Sequence, residues 1–186
     1  ILRESGKRLS LVLTAVSKEV KPGVTTGYLN DFVYKMITDM GDTPAFLNYK
    51  PFGAAYPYPG SICISVNDEV VHGIGGEYVL KEGDIVGLDG GVKHKGMISD
   101  SARTVAVGKI SEEDEELLRV TKAALMAGIK AAKCGNYVND ISKAIENSIP
   151  KKYGVVKILS GHGVGYKVHE EPYVPNFDDG VKGPKL

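Results

Sequence analysis

A helix-ending tripeptide occurs twice in this chain, each time between two helical patterns. Lys21-Pro-Gly23 precedes Tyr28-Leu-Asn-Asp-Phe32, and Lys133-Cys-Gly135 precedes Tyr137-Val-Asn-Asp-Ile141. Glycine ends a helix readily, and a polar residue soon afterwards caps the next. The repeat predicts helix, helix, strands, and then the same again, in pseudo-symmetric halves of about 1–107 and 108–186 within one domain. An α+β class follows.

The helices are legible from spacing. Leu2, Leu9, Leu13, Val16 and Val20 recur at helical intervals, and Thr25 or Thr26 can cap a second helix carrying Leu29, Val33, Met36, Ile37 and Met40. Ser111 to Asp114 reads as an acidic helix start, with Leu117, Leu118, Leu125 and Ile129 as the apolar positions of a third helix. A fourth, near Val138 to Ile149, has Ile141, Ile145 and Ile149 at i, i+4 and i+8. Strands are expected at Ser61–Val66, Glu69–His72 and Val155–Leu159.

The stretch from Asp84 to Val107 reads as a β-hairpin with Lys93-His94-Lys95-Gly96 as its polar tip. A symmetric loop centred between His94 and Lys95 sets Asp89 directly opposite Asp100. Opposed residues in an antiparallel pair share a face at roughly 5 Å. At an effective dielectric of about 20, two negative charges so placed repel by roughly 3 kcal/mol. Divalent metals between the aspartates would remove that repulsion. A bulge that shifts the register, solvent, or lysine partners would serve as well.

Two histidines stand among glycines. His72 ends an apolar run just before Gly73, and His162 lies between Gly161 and Gly163, where backbone can approach closely and the imidazole can face a ligand. His169 follows with an acidic neighbour able to orient it. The loop from Asp42 to Gly60 is dense in aromatics, among them Phe46, Tyr49, Phe52, Tyr56 and Tyr58; such a loop either packs on its own domain or lines an apolar pocket.

Composition narrows the partners. Lys plus Arg and Asp plus Glu both number 23, which points to neither nucleic acid nor an anionic membrane. Cys63 and Cys134 lack metal-finger spacing, so a reducing, cytoplasmic compartment is expected. No apolar run reaches membrane-spanning length.

Three segments together, SICISVNDEVVHGI (Ser61 to Ile74), the hairpin with Asp89 and Asp100, and SGHGVGYKVHEEP (Ser160 to Pro172), resemble the type I methionine aminopeptidases of the pita-bread fold. The resemblance covers nearly the whole chain. It implies a curved antiparallel sheet flanked by two helix-helix-strand halves. It also implies an enzyme that removes the initiator methionine of nascent proteins with water activated by two divalent metals (Co, Mn, Fe or Zn).

Residue by residue, the resemblance makes Asp89, Asp100 and His162 metal ligands. It makes His72 and His169 catalytic, substrate-facing histidines, and Tyr58, Cys63 and Phe52 the pocket for the methionine side chain. Two further family glutamates, one in an Ile-Glu-Pro-like motif, have no match in this sequence. A second chain supplying those ligands, and association with the ribosome, are further expectations. An inactive interaction module, or an Xaa-Pro-type peptidase of the same fold, stays open as an alternative reading.

Overall fold

The N-terminal spacing produces α1, Leu2–Glu19, which buries Ser5, Leu9, Val12, Leu13 and Val16. Thr25 then caps α2, Thr26–Asp39, by accepting the Tyr28 N–H at 3.1 Å. The computed structural model describes residues 1–186. They form two units, Ile1–Ser111 with Val164–Val168, and Glu112–Gly163 with His169–Leu186. No helix is long and apolar enough to cross a membrane.

In the first unit, β3 (Ile85–His94) pairs along one edge with β4 (Met97–Ala106). Its other edge carries β1 (Thr43–Pro44) and β2 (Ile62–Val66) end to end, all antiparallel. Val86, Leu88 and Val92 share one face of β3 with their β2 partners Ile64 and Val66. Against them lie Leu9, Leu13, Val16, Leu29, Val33 and Ile37 of the helices, all 2% exposed or less. Each such aliphatic side chain stabilises the fold by about 1.5–3 kcal/mol relative to exposure. The core thus fixes which face of β3 turns outward.

The hairpin tip is tighter than the expected polar tetrapeptide. His94 pairs with Met97, leaving only Lys95 (φ 48°) and Gly96 (φ 84°) in the turn. Two residues of positive φ match the twist of the flanking strands. His94 belongs to the strand because its Nδ1 meets the buried Asp42 carboxylate at 2.7 Å, and Arg8 reaches the same carboxylate at 3.0 Å. Glu69–His72 is likewise no strand but a loop, with His72 at φ 61°.

In the second unit, α3 (Glu112–Ala131) packs on α4 (Val138–Ser148) through Val120, Ala124 and Gly128. A Cβ on Gly128 would come within 2.9 Å of Ile145, so close helix contact requires the glycine. The expected apolar stripe is therefore not the buried one: Leu117, Leu125 and Ile129 are exposed. The expected strand at Val155–Leu159 is irregular, with Ile158 93% exposed, and pairing begins one residue later. There β5 (Ser160–Gly163) pairs with β6 (Glu170–Pro175).

Backbone hydrogen bonds repeat between the units. Gly23 N–H donates to Leu80 and Thr26 N–H to Tyr78; correspondingly Gly135 N–H donates to Leu186 and Val138 N–H to Pro184. These bonds match Gly23 to Gly135, as the tripeptides predict. They do not match the Tyr-x-Asn-Asp motifs: Tyr28 lies inside α2, whereas Tyr137 is the N-cap of α4.

Candidate functional site

Alternation along β3 turns Asp89 and Gly91 to the face opposite the helical core. Cys63 pairs directly with Asp89, Ala102 is its partner on β4, and Asp100 faces Gly91. The two aspartates are therefore diagonal neighbours rather than directly opposed, because the turn holds Lys95-Gly96. A shift of two residues preserves the face. The carboxyls still meet, through a hydrogen bond between them.

Electrostatics at this pair is strained in a defined sense. Burial first, then the Asp89 charge and the shared hydrogen bond, push Asp100 up to about 7. The pair keeps a proton that ordinary carboxylates have lost at that pH. A divalent cation could take the proton's place, since hard and borderline cations favour carboxylate oxygen and cancel the repulsion. The two aspartates fit a metal by that criterion. Neither unit by itself gathers three His, Cys, Asp or Glu side chains as a ready cage.

Beside the carboxylates lies an apolar cluster of Phe46, Cys63, Ile98 and Val168, with Tyr49 and Tyr58 packed against it. Burial pushes the Cys63 thiol up to about 12, with the Tyr58 hydrogen bond opposing and the two aspartates adding. Cys63 is thus a neutral, polarisable wall rather than a nucleophile. Burial also raises the Tyr58 hydroxyl, which donates to the Gly73 carbonyl at 2.7 Å. Phe52 does not join this cluster: its ring is fully exposed on the loop.

His72 is exposed in the first unit, on the loop after β2. The second unit holds the other two histidines, whose ring centroids lie 4.3 Å apart. His162 sits at a register shift of β5 on β6. Such a bulge re-aims a side chain, and Gly163 is required there because a Cβ would fall 2.5 Å from the Glu171 carbonyl oxygen. His162 Nδ1 lies 3.0 Å from the Gly163 carbonyl, which can only accept, so the proton is on Nδ1 and the ring lone pair is on Nε2.

Sequence reading missed Ser65 and the Asp42–His94 pair. Ser65 sits in a buried apolar run, where one small hydroxyl signals little. His94 looked like a turn residue because Asp42 lies 52 positions away.

The model of metallopeptidase family M24 matches residues 1–185. The chain is 47% identical to the methionine aminopeptidase of Aquifex aeolicus and 44% identical to that of Clostridium perfringens. Each match covers all of this chain and 73% of the relative. The crystal structure of methionine aminopeptidase from Rickettsia prowazekii superposes with a TM-score of 0.93 at 37% identity, covering all of this chain and 73% of that one.

Proposed function

This chain belongs to metallopeptidase family M24, and from that premise we propose how its residues take part in removing the N-terminal methionine of a protein. It is a metal-dependent methionine aminopeptidase of the pita-bread fold. Asp89, Asp100 and His162 are its contribution to a site for two divalent cations, Co, Mn, Fe or Zn. The family resemblance implies two glutamate ligands besides these. The observation that carries the assignment is the Asp89–Asp100 contact, with its retained proton.

When bound, the metals supply a water of lowered pKa and polarise the scissile carbonyl. Cys63 and Tyr58 hold the thioether side chain, whose flexibility suits a sulfur and aromatic wall. His72 hydrogen-bonds the substrate near the scissile amide. His169 donates to the oxygen on which negative charge develops. The substrate is the initiator methionine of nascent chains, which places the protein in the cytoplasm beside the ribosome.

Release of methionine from a Met-Gly-Ser peptide with Mn(II), with a chelator as control, tests the reading. We expect release that a chelator stops and that Asp100→Asn lowers at least about 100-fold, since a metal ligand is lost. Release that persists in Asp100→Asn overturns the ligand assignment.

A further inference from the structure

We propose that Ser65 and Tyr58 are positioning residues for His72, acting through the peptide of Gly73. The inference rests on the reading of His72 as a substrate-facing group and adds the residues that aim it. His72 is an exposed residue with a Cβ, yet its φ is 61°. That left-handed conformation costs roughly 1–2 kcal/mol, so its surroundings must hold it.

What holds it is the next peptide. The Gly73 carbonyl accepts the Ile64 N–H at 2.8 Å and the Tyr58 hydroxyl at 2.7 Å. The Gly73 N–H donates to Ser65 Oγ at 3.1 Å. Both polar groups of a buried glycine are therefore fixed on β2. Contact is so close that a Cβ on Gly73 would lie 2.2 Å from the Ile64 carbonyl oxygen. His72 itself is exposed, and its direction follows from this clamp.

Tyr58 also reaches the Ile62 carbonyl at 3.1 Å and packs against Cys63 in the apolar cluster. The pocket wall and Gly73, the residue after His72, thus share one hydroxyl. Ser65 supplies the other half of the clamp. Without its Oγ, the buried Gly73 N–H lacks an acceptor, a loss the loop can relieve only by turning the peptide and taking His72 with it.

Ser65→Ala and Ser65→Thr separate this role from simple packing. Threonine keeps the hydroxyl and suits a strand, and its cross-strand partner Gly87 has no side chain to meet the added methyl. NMR of the full chain, with the His72 signals assigned through His72→Ala, reads the geometry directly. In Ser65→Ala the His72 ring signals should move to the positions of a solvent-averaged histidine. The Gly73 amide should exchange at least about tenfold faster, and threonine should restore both.

In the methionine-release assay, Ser65→Ala should lower kcat about tenfold with KM within about twofold, and should lower nothing further in a His72→Ala background. His72 signals that stay unmoved in Ser65→Ala overturn the inference. So does a kcat loss that persists undiminished when His72 is already alanine. Absence of metal-dependent release in every variant would count against the peptidase reading alone, and the NMR comparison would still decide the clamp.

Discussion

α1 and α3 end on the same tripeptide pattern, yet two positions that α1 buries, Ser5 and Leu13, are matched in α3 by leucines exposed to solvent. Counting back from Gly23 and Gly135, Leu13 corresponds to Leu125 and Ser5 to Leu117. Leu13 is 1% exposed, while Leu125 is 54% and Leu117 is 38%. α1 rests on the long β3–β4 pair, whereas the second unit has only the short β5–β6 pair. Helical spacing specifies that an apolar face exists; what covers it is a tertiary matter.

The strongest test of this difference is truncation at the matched leucines. Leu13→Ala should cost about 3 kcal/mol, within the ~2–5 kcal/mol usual for a fully buried leucine. Leu125→Ala should cost less than about 0.5 kcal/mol, as exposed positions do. Urea unfolding followed by circular dichroism measures both. Equal losses would mean that α3 is covered in solution and would break the comparison.

A second contrast lies in the acids. Asp100 has its pKa raised by burial and by Asp89, so it favours folding while protonated; that contribution is complete below its unfolded pKa and lost as pH rises through about 7. The metal-free chain should therefore be more stable at pH 5 than at pH 8, by about 2–3 kcal/mol. Asp100→Asn should remove most of this dependence. In the second unit Glu116 is shifted the other way, lowered chiefly by its hydrogen bond from Lys152. Its contribution is present above the unfolded pKa and fades as pH falls. Stability that rises steadily from pH 5 to pH 8 would show that the Asp89–Asp100 contact is absent in solution.

Where local rules decide the structure, the residues announced it. Thr25, one of the two threonines able to cap α2, does so, the Asp84–Val107 stretch forms the hairpin expected of it, and the glycines around His162 predict the close backbone approach seen at Gly163. The common face of Asp89 and Asp100 was legible too, because parity survives a two-residue change of register. The register itself was not: it turns on His94, which the distant Asp42 and the chain of β1 draw into the strand. His72 lies in a loop because side chains of Tyr58 and Ser65 hold its neighbour, and periodicity carries no such information. The Tyr-x-Asn-Asp likeness misled for a related reason, since a short motif can recur three residues out of structural register.

The smallest predicted effect follows from correcting that register. With Gly27 N–H donating to Gly76 and Asn139 N–H to Lys182, Gly27 matches Asn139, and three residues on Asn30 matches Ser142. Asn30 Oδ1 accepts the Ser61 N–H at 2.8 Å, tying α2 to the start of β2. Ser142 is wholly buried, and its Oγ has no hydrogen-bond partner. Asn30→Ala should cost about 1 kcal/mol, because it strands a backbone donor. Ser142→Ala should instead be neutral or stabilising by up to about 1 kcal/mol, since it removes an unsatisfied polar atom and alanine is the better helix former. Opposite signs at matched positions, read from denaturation midpoints, would show that the two units share a backbone plan while only the first satisfies it with side chains. Destabilisation of equal size at Ser142 would mean that its hydroxyl has found a partner in solution, and the contrast would fall.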